Sequence, residues 1–147
     1  MTPSRTITAL ATLVLWVAIV VFSAVGLSGI FFGAWEFSFL PTNLETVSGD
    51  RTTFLNQVRF LKALELAAGI MIFSVRREFF ERRTINRAVV ALLWVTPLAR
   101  VASLALDGVP HWTFVALLGV ELSGATVVAL YSIQRFGFST REPITAA

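Results

Sequence analysis

The chain has 147 residues, of which 56% are hydrophobic and 14% charged, and its mean hydropathy is +0.76. That balance excludes an ordinary water-soluble domain and implies a single integral membrane domain. A formal charge of +3 with no cysteine excludes disulfides, thiolate metal sites and cysteine nucleophiles, and the basic excess needs no nucleic-acid partner because membrane sidedness accounts for it.

Four apolar stretches reach spanning length: Ile7 to Phe32, Phe54 to Val75, Ala88 to Leu106, and Trp112 to Ile133. The expected fold is all-α, a transmembrane four-helix up-and-down bundle with helices over about 7–33, 53–75, 84–106 and 110–135. Residues 1–136 then form the membrane domain, and residues 137–147 form a polar cytoplasmic tail. Arg5, Arg76, Arg77, Arg82, Arg83, Arg87, Arg135 and Arg141 all fall on one side of such a bundle, whereas Arg51 lies opposite with Glu36, Glu45, Asp50 and Asp107. By the positive-inside rule both termini are expected in the cytoplasm, in a multi-pass protein of a bacterial inner membrane. Glu78 and Glu81 interrupt the basic loop, so anionic lipid headgroups suit it better than nucleic acid.

The first helix continues from Arg5 past the length of a signal-peptide core and is expected to be retained. Its Gly29 and Gly33 have a small-xxx-small spacing, which predicts close packing inside the bundle or a face for a homo-oligomer or membrane-complex partner. Trp35, Phe37, Phe39 and Leu40 suit an outer interface, Pro41 ends the run, and the polar loop to Arg51 could fold over the bundle mouth. Thr52 or Thr53 is expected to cap the second helix. In the third, Pro97 removes a backbone hydrogen bond and predicts a kink one turn before Arg100. The turn Asp107, Gly108, Val109, Pro110 places Pro110 in the first turn of the fourth.

Arg59, Lys62, Glu65, Arg100 and Glu121 lie inside these apolar stretches. Charge at that depth is costly, so such residues are expected to face a bundle interior or a wet cavity. At about 1.5 Å per residue, Arg59 and Arg100 sit roughly 9 Å from the outer helix ends, while Glu65 and Glu121 lie about 16 to 18 Å down. Arg59, Lys62 and Glu65 share a stripe about 120° wide, and Thr96, Ser103 and Asp107 fall within about 60° of Arg100. Gly124 and Ala125 flank Glu121 and predict the close approach of a neighbouring helix. Asn56 extends the second-helix stripe toward the end where Asp107 and His111 lie, which suggests a cavity opening outward.

The candidate ligand-binding set is therefore Asn56, Arg59, Lys62, Glu65, Arg100, Ser103 and Glu121. With three cations and two carboxylates, it favours an anionic or strongly hydrogen-bonding headgroup. A buried carboxyl without a partner would instead take a proton. Interhelical Arg–Glu pairs that only fix register are the alternative without a ligand. No catalytic residue is expected: Ser103 and Ser123 lack a histidine partner, and His111 alone makes no metal site. No cofactor motif is present.

The ordered residues Asn56, Gln57, Val58, Arg59, Phe60, Leu61, then Gly69, then Leu98, Ala99, Arg100, Val101, Ala102, Ser103, then Asp107, Gly108, Val109, Pro110, and Gly119, Val120, Glu121, Leu122 resemble a small family of bacterial four-span membrane proteins, the domain of unknown function 4345. The resemblance covers about Phe54 to Leu130. It implies the four-span fold and singles out Arg59, Arg100 and Glu121, while Lys62 stands where a small residue is expected. It implies no activity. The function anticipated is a pocket for a small amphiphile or lipid headgroup. The alternatives are an accessory subunit docking through the Gly29 face and an intramembrane acid–base enzyme, isomerase-like, using Glu65 or Glu121.

Overall fold

The computed structural model describes residues 3–32 and 51–137. Among these residues the chain is all-helical. α1 spans Arg5–Phe32, α2 Arg51–Val75, α3 Glu78–Glu81, α4 Arg83–Asp107 and α5 Trp112–Phe136. Gly33, the aromatic run from Trp35, the loop that follows it and the polar tail lie outside the described residues.

Three helices are long and apolar enough to cross a membrane: α1 with 28 residues, and α4 and α5 with 25 each. Only 17 to 22% of the most apolar stretch of each is buried within the chain. Their remaining apolar surface faces outward, as it does on membrane helices, where the surrounding lipid is as apolar as leucine. Leu13, Val20 and Val120, for example, are 59, 60 and 68% exposed. α2 has the length for a fourth span, at 25 residues, but carries Arg59, Lys62 and Glu65 in its middle. Hydroxyl side chains along the apolar helices bond back to carbonyls of their own helix: Thr12 to Thr8 O (2.8 Å), Ser74 to Ile70 O (2.8 Å), Ser123 to Gly119 O and Thr126 to Leu122 O (both 2.7 Å). In hydrocarbon every polar group must find such an internal partner.

The chain divides into two compact units. The first combines the start of α1, up to Val14, with everything from Arg77 onward. Here α4 packs on α5, and α3 packs on α4. Phe79, Val89, Leu118, Ala125, Val128 and Tyr131 are buried, and Val14 closes over Gly124, where an added Cβ would meet its Cγ1 at 3.3 Å. The neighbour expected beside Gly124 is thus the start of α1. α3 lies within the basic loop. Its Phe79 stacks on Tyr131 at 5.7 Å between centroids, Phe80 meets both rings edge-on, and the buried Asn86 side chain donates to Phe79 O at 3.1 Å. The short helix is therefore held by an aromatic cluster and one buried amide, and Arg82, with extended backbone, separates it from α4.

Pro97 is buried within α4, which continues as one helix on either side of it. α4 ends at Gly108, whose φ of 92° lies in the region that favours glycine. α5 then begins at Trp112, later than the Pro110 start expected. His111 is its N-cap, and the His111 side chain accepts from Thr113 N. Pro110 has no N–H to direct at a cap, while the His111 ring supplies the acceptor that the helix start needs.

The second unit, Leu15–Arg76, is built on glycine contacts between α1 and α2. A Cβ on Gly26 would fall 2.5 Å from Leu66 N and 2.8 Å from Lys62 O, and one on Gly69 would fall 2.9 Å from Ser23 N. Each helix thus contributes a glycine at which the other backbone comes within touching distance, the close approach that small residues permit in membranes. Trp16 closes on Phe73 edge-to-face at 6.3 Å. α2 begins at Arg51, so Thr52 and Thr53 lie in its first turn instead of capping it.

Candidate functional site

α4 and α5 face one another across the tight turn between them, and this turn sets their register. Arg100, on α4, reaches Glu121, on α5: its Nε donates to both carboxylate oxygens, at 3.1 and 3.0 Å. The two side chains are 35 and 26% exposed. Their Cα atoms were expected some 7 to 9 Å apart in depth, a difference that two long side chains bridge. Among the described residues the Nη atoms of Arg100 make no hydrogen bond. Only the Nε edge of the guanidinium is engaged, and the terminal donors are left to face elsewhere.

A cavity of about 180 Å³ opens beside this pair, lined by Arg100, Ser103 and Leu104 from α4 and by Phe114, Val115 and Leu118 from α5, with Pro110 at the turn. Apart from Arg100 and Ser103 these side chains are apolar. The Ser103 hydroxyl donates to Asp107 Oδ2 at 2.8 Å, unlike the hydroxyls that bond back to a carbonyl. Its proton is committed to the carboxylate, so Ser103 Oγ offers lone pairs to the cavity. The arrangement provides two donors from Arg100, an acceptor from Ser103 and an apolar wall, which together suit a polar head carried on a short hydrocarbon segment.

The α2 candidates belong to the other unit. Lys62 Nζ donates to Glu65 Oε1 and Oε2, at 3.2 and 3.0 Å, along one face of the helix. The Lys62 stem lies over Gly29, where an added Cβ would be 2.6 Å from its Cδ. Gly29, read from sequence as a candidate partner face, is thus covered by Lys62 of the same chain, and Gly33 lies outside the described residues. A glycine on α1 also explains how α2 accommodates a lysine where the family resemblance led us to expect a small residue. Asn56 and Arg59 are exposed, and among the described residues Arg59 makes no hydrogen bond or ion pair. The five deep charges therefore resolve into two neutral pairs and one cation. The excess of one positive charge on which the preference for an anion rested is thus left on Arg59, in the unit that does not hold Arg100. Neither glutamate is left without a cation beside it.

The sequence did not single out the apolar lining. Its signal is present in retrospect: Arg100, Ser103 and Leu104 recur at helical spacing just before the turn, and Phe114 and Leu118 do so just after it. Among the described residues no group of His, Asp and Glu side chains is placed to hold a metal ion.

No curated protein and no solved structure matches the chain. A family model described as "Domain of unknown function (DUF4345)" matches residues 10–132, a range that takes in α2 and α4, most of α1 and α5, and both ion pairs, and the chain belongs to that family.

Proposed function

We propose that this is a multi-pass protein of a bacterial cytoplasmic membrane that binds the headgroup of a small amphiphile or lipid in the α4–α5 cavity and catalyses no reaction. The observation that carries the reading is the Arg100 guanidinium, steadied by Glu121 through Nε while its terminal donors remain unused beside an apolar hollow. An apolar cavity of roughly 150 Å³ takes one benzene, so 180 Å³ admits a compact head and the first few carbons of a tail. The rest of the chain would run out along the exposed apolar surface of the helices.

In this reading α2 is the fourth span. Lys62 and Glu65 neutralise one another, and Arg59, only about 9 Å from the start of the helix, snorkels with its guanidinium toward the headgroups. Four spans place both termini and the loop of Arg76, Arg77, Arg82, Arg83 and Arg87 in the cytoplasm, so the cavity beside the Asp107–His111 turn opens outward. Arg100 and Ser103 hold the ligand, Glu121 orients Arg100, and Asn56 and Arg59 line the aqueous end of α2.

Native mass spectrometry of the full chain, extracted in mild detergent, tests the proposal. The wild-type protein is expected to retain an amphiphile, and Arg100→Leu to lose it while circular dichroism shows the same helix content. Equal ligand content in the two proteins rejects the reading.

A further inference from the structure

The cavity offers a way to ask which headgroup it takes, a question that rests on the reading just given. α4, α5 and their turn carry four titratable groups around it. Arg100 and Glu121 cancel one another at 3.0 Å. Asp107 accepts the Ser103 proton at 2.8 Å and is matched by no cation in any ion pair among the described residues. His111 turns Nδ1 to the start of α5, where it accepts from Thr113 N. The three charged groups thus sum to one formal negative charge, despite an arginine in the cavity wall.

We infer that the cavity selects a neutral, hydroxyl-bearing headgroup, such as that of a monoacylglycerol or a long-chain alcohol, over an anionic or cationic one. An anionic head would gain hydrogen bonds from the Nη atoms of Arg100. It would gain little net Coulomb energy, because Glu121 already neutralises that guanidinium, and it would sit near the Asp107 carboxylate. An ammonium head gives a proton to Ser103 Oγ but offers no acceptor to the Arg100 donors and sets a second cation against that guanidinium. A hydroxyl fits both edges, since its oxygen accepts from an Arg100 Nη–H and its proton goes to Ser103 Oγ, the lone pair left open when Ser103 donates to Asp107. The pairing is directional. A glycerol head, with two free hydroxyls and an ester carbonyl, supplies more acceptors for the second Nη group, and its acyl chain continues along Phe114, Val115 and Leu118.

The test compares three single-chain probes of equal tail length, monolauroylglycerol, dodecanesulfonate and dodecylamine, binding to the full chain in nanodiscs of zwitterionic lipid. Monolauroylglycerol is expected to bind at least about ten-fold more tightly than either charged probe. Ser103→Ala should weaken it by roughly two- to ten-fold, the loss of one hydrogen bond, with little effect on the sulfonate. Asp107→Asn should bring the sulfonate several-fold closer to the glycerol probe, because the repelling charge is gone while a side chain able to accept from Ser103 remains. Sulfonate binding as well as or better than the glycerol probe overturns the assignment and leaves the amphiphile site standing. So does a preference that Asp107→Asn does not move. If none of the three binds, and Arg100→Leu also leaves co-purified lipid unchanged, the cavity reading fails and this assignment falls with it.

Discussion

In the unit made of α2 and the later part of α1, the helices meet backbone to backbone: Gly26 lies on Leu66 N and Lys62 O, and Gly69 on Ser23 N. In the other unit α4 and α5 meet through side chains, with an ion pair across the gap and a cavity beside it. The charges follow the same division. Lys62 and Glu65 close on each other within one helix, three residues apart, whereas Arg100 and Glu121 are 21 residues apart and bind two helices together. A chain with few charges has used one pair to neutralise charge along a single helix and the other to join two helices beside a hollow. Glycine makes the first arrangement possible, because a lysine stem needs a surface without side chains on which to lie. Separation of the helices makes the second possible, because a guanidinium bound along only one edge needs room on its other side.

The largest expected effect breaks the first half of this comparison. Gly26→Val places a Cβ 2.5 Å from a backbone nitrogen, and backbone cannot swing aside as the end of a side chain can. Overpacking of this kind costs about 3 kcal/mol. Unfolding of the purified chain in mixed micelles, followed by circular dichroism against added sodium dodecyl sulfate, is expected to show that loss. A midpoint close to wild type would mean that α1 and α2 do not approach at Gly26 in the membrane.

Next in size is the contrast between the two ion pairs, which double-mutant cycles measure separately. Interhelical hydrogen bonds in membranes couple by about 0.6 kcal/mol on average and up to about 1.7, and a doubly bonded guanidinium belongs toward the upper end. A pair three residues apart on one helix contributes about 0.2 to 0.5 kcal/mol. The cycle on Arg100 and Glu121 should therefore exceed the cycle on Lys62 and Glu65, with Lys62→Met used so that the stem over Gly29 is kept. The reverse order would undo the division of roles. It would mark Lys62 and Glu65 as the structural pair and leave Arg100 as a residue whose only partner is a ligand.

These contrasts also show which parts of the site could be read before any coordinates. Arg100 and Glu121 were legible as candidates because charge inside an apolar stretch needs a partner, but helical rise set Arg100 level with Arg59 and Glu121 level with Glu65 and so did not say which charges pair. Lys62 and Glu65 were legible from a shared stripe. What the spacing of one helix could not reveal was the identity of the surface opposite. Gly26 and Gly69 meet because two helices choose a common register, and nothing local to either glycine records that choice. Gly29, with its small-residue spacing, pointed to a partner, and that partner proved to be a lysine of the same chain. α3, only four residues long, is too short to show a period, and the Phe79–Tyr131 cluster that holds it is a tertiary contact. Three spans met the apolar criterion by composition. α2 did not, because Arg59, Lys62 and Glu65 put three charges in its middle, and pairing between Lys62 and Glu65 is invisible to a count of charges.

The smallest expected effect sharpens the comparison by repeating the glycine experiment where the structure assigns glycine no task. Gly119 lies on α5, one turn before Ser123, which bonds to its carbonyl. A Cβ added there meets nothing within 4 Å. Gly119→Ala should therefore raise stability, by up to about 1 kcal/mol, since alanine holds helical conformation more readily than glycine. The same kind of change thus has opposite signs in the two units, destabilising at Gly26 and mildly stabilising at Gly119, and one series of unfolding midpoints reads both. A clear loss of stability in Gly119→Ala would show that another surface packs on this stretch of α5 in the membrane. The α4–α5 cavity, one helical turn away at Leu118 and Val115, would then have to be reconsidered as part of a contact with a neighbour.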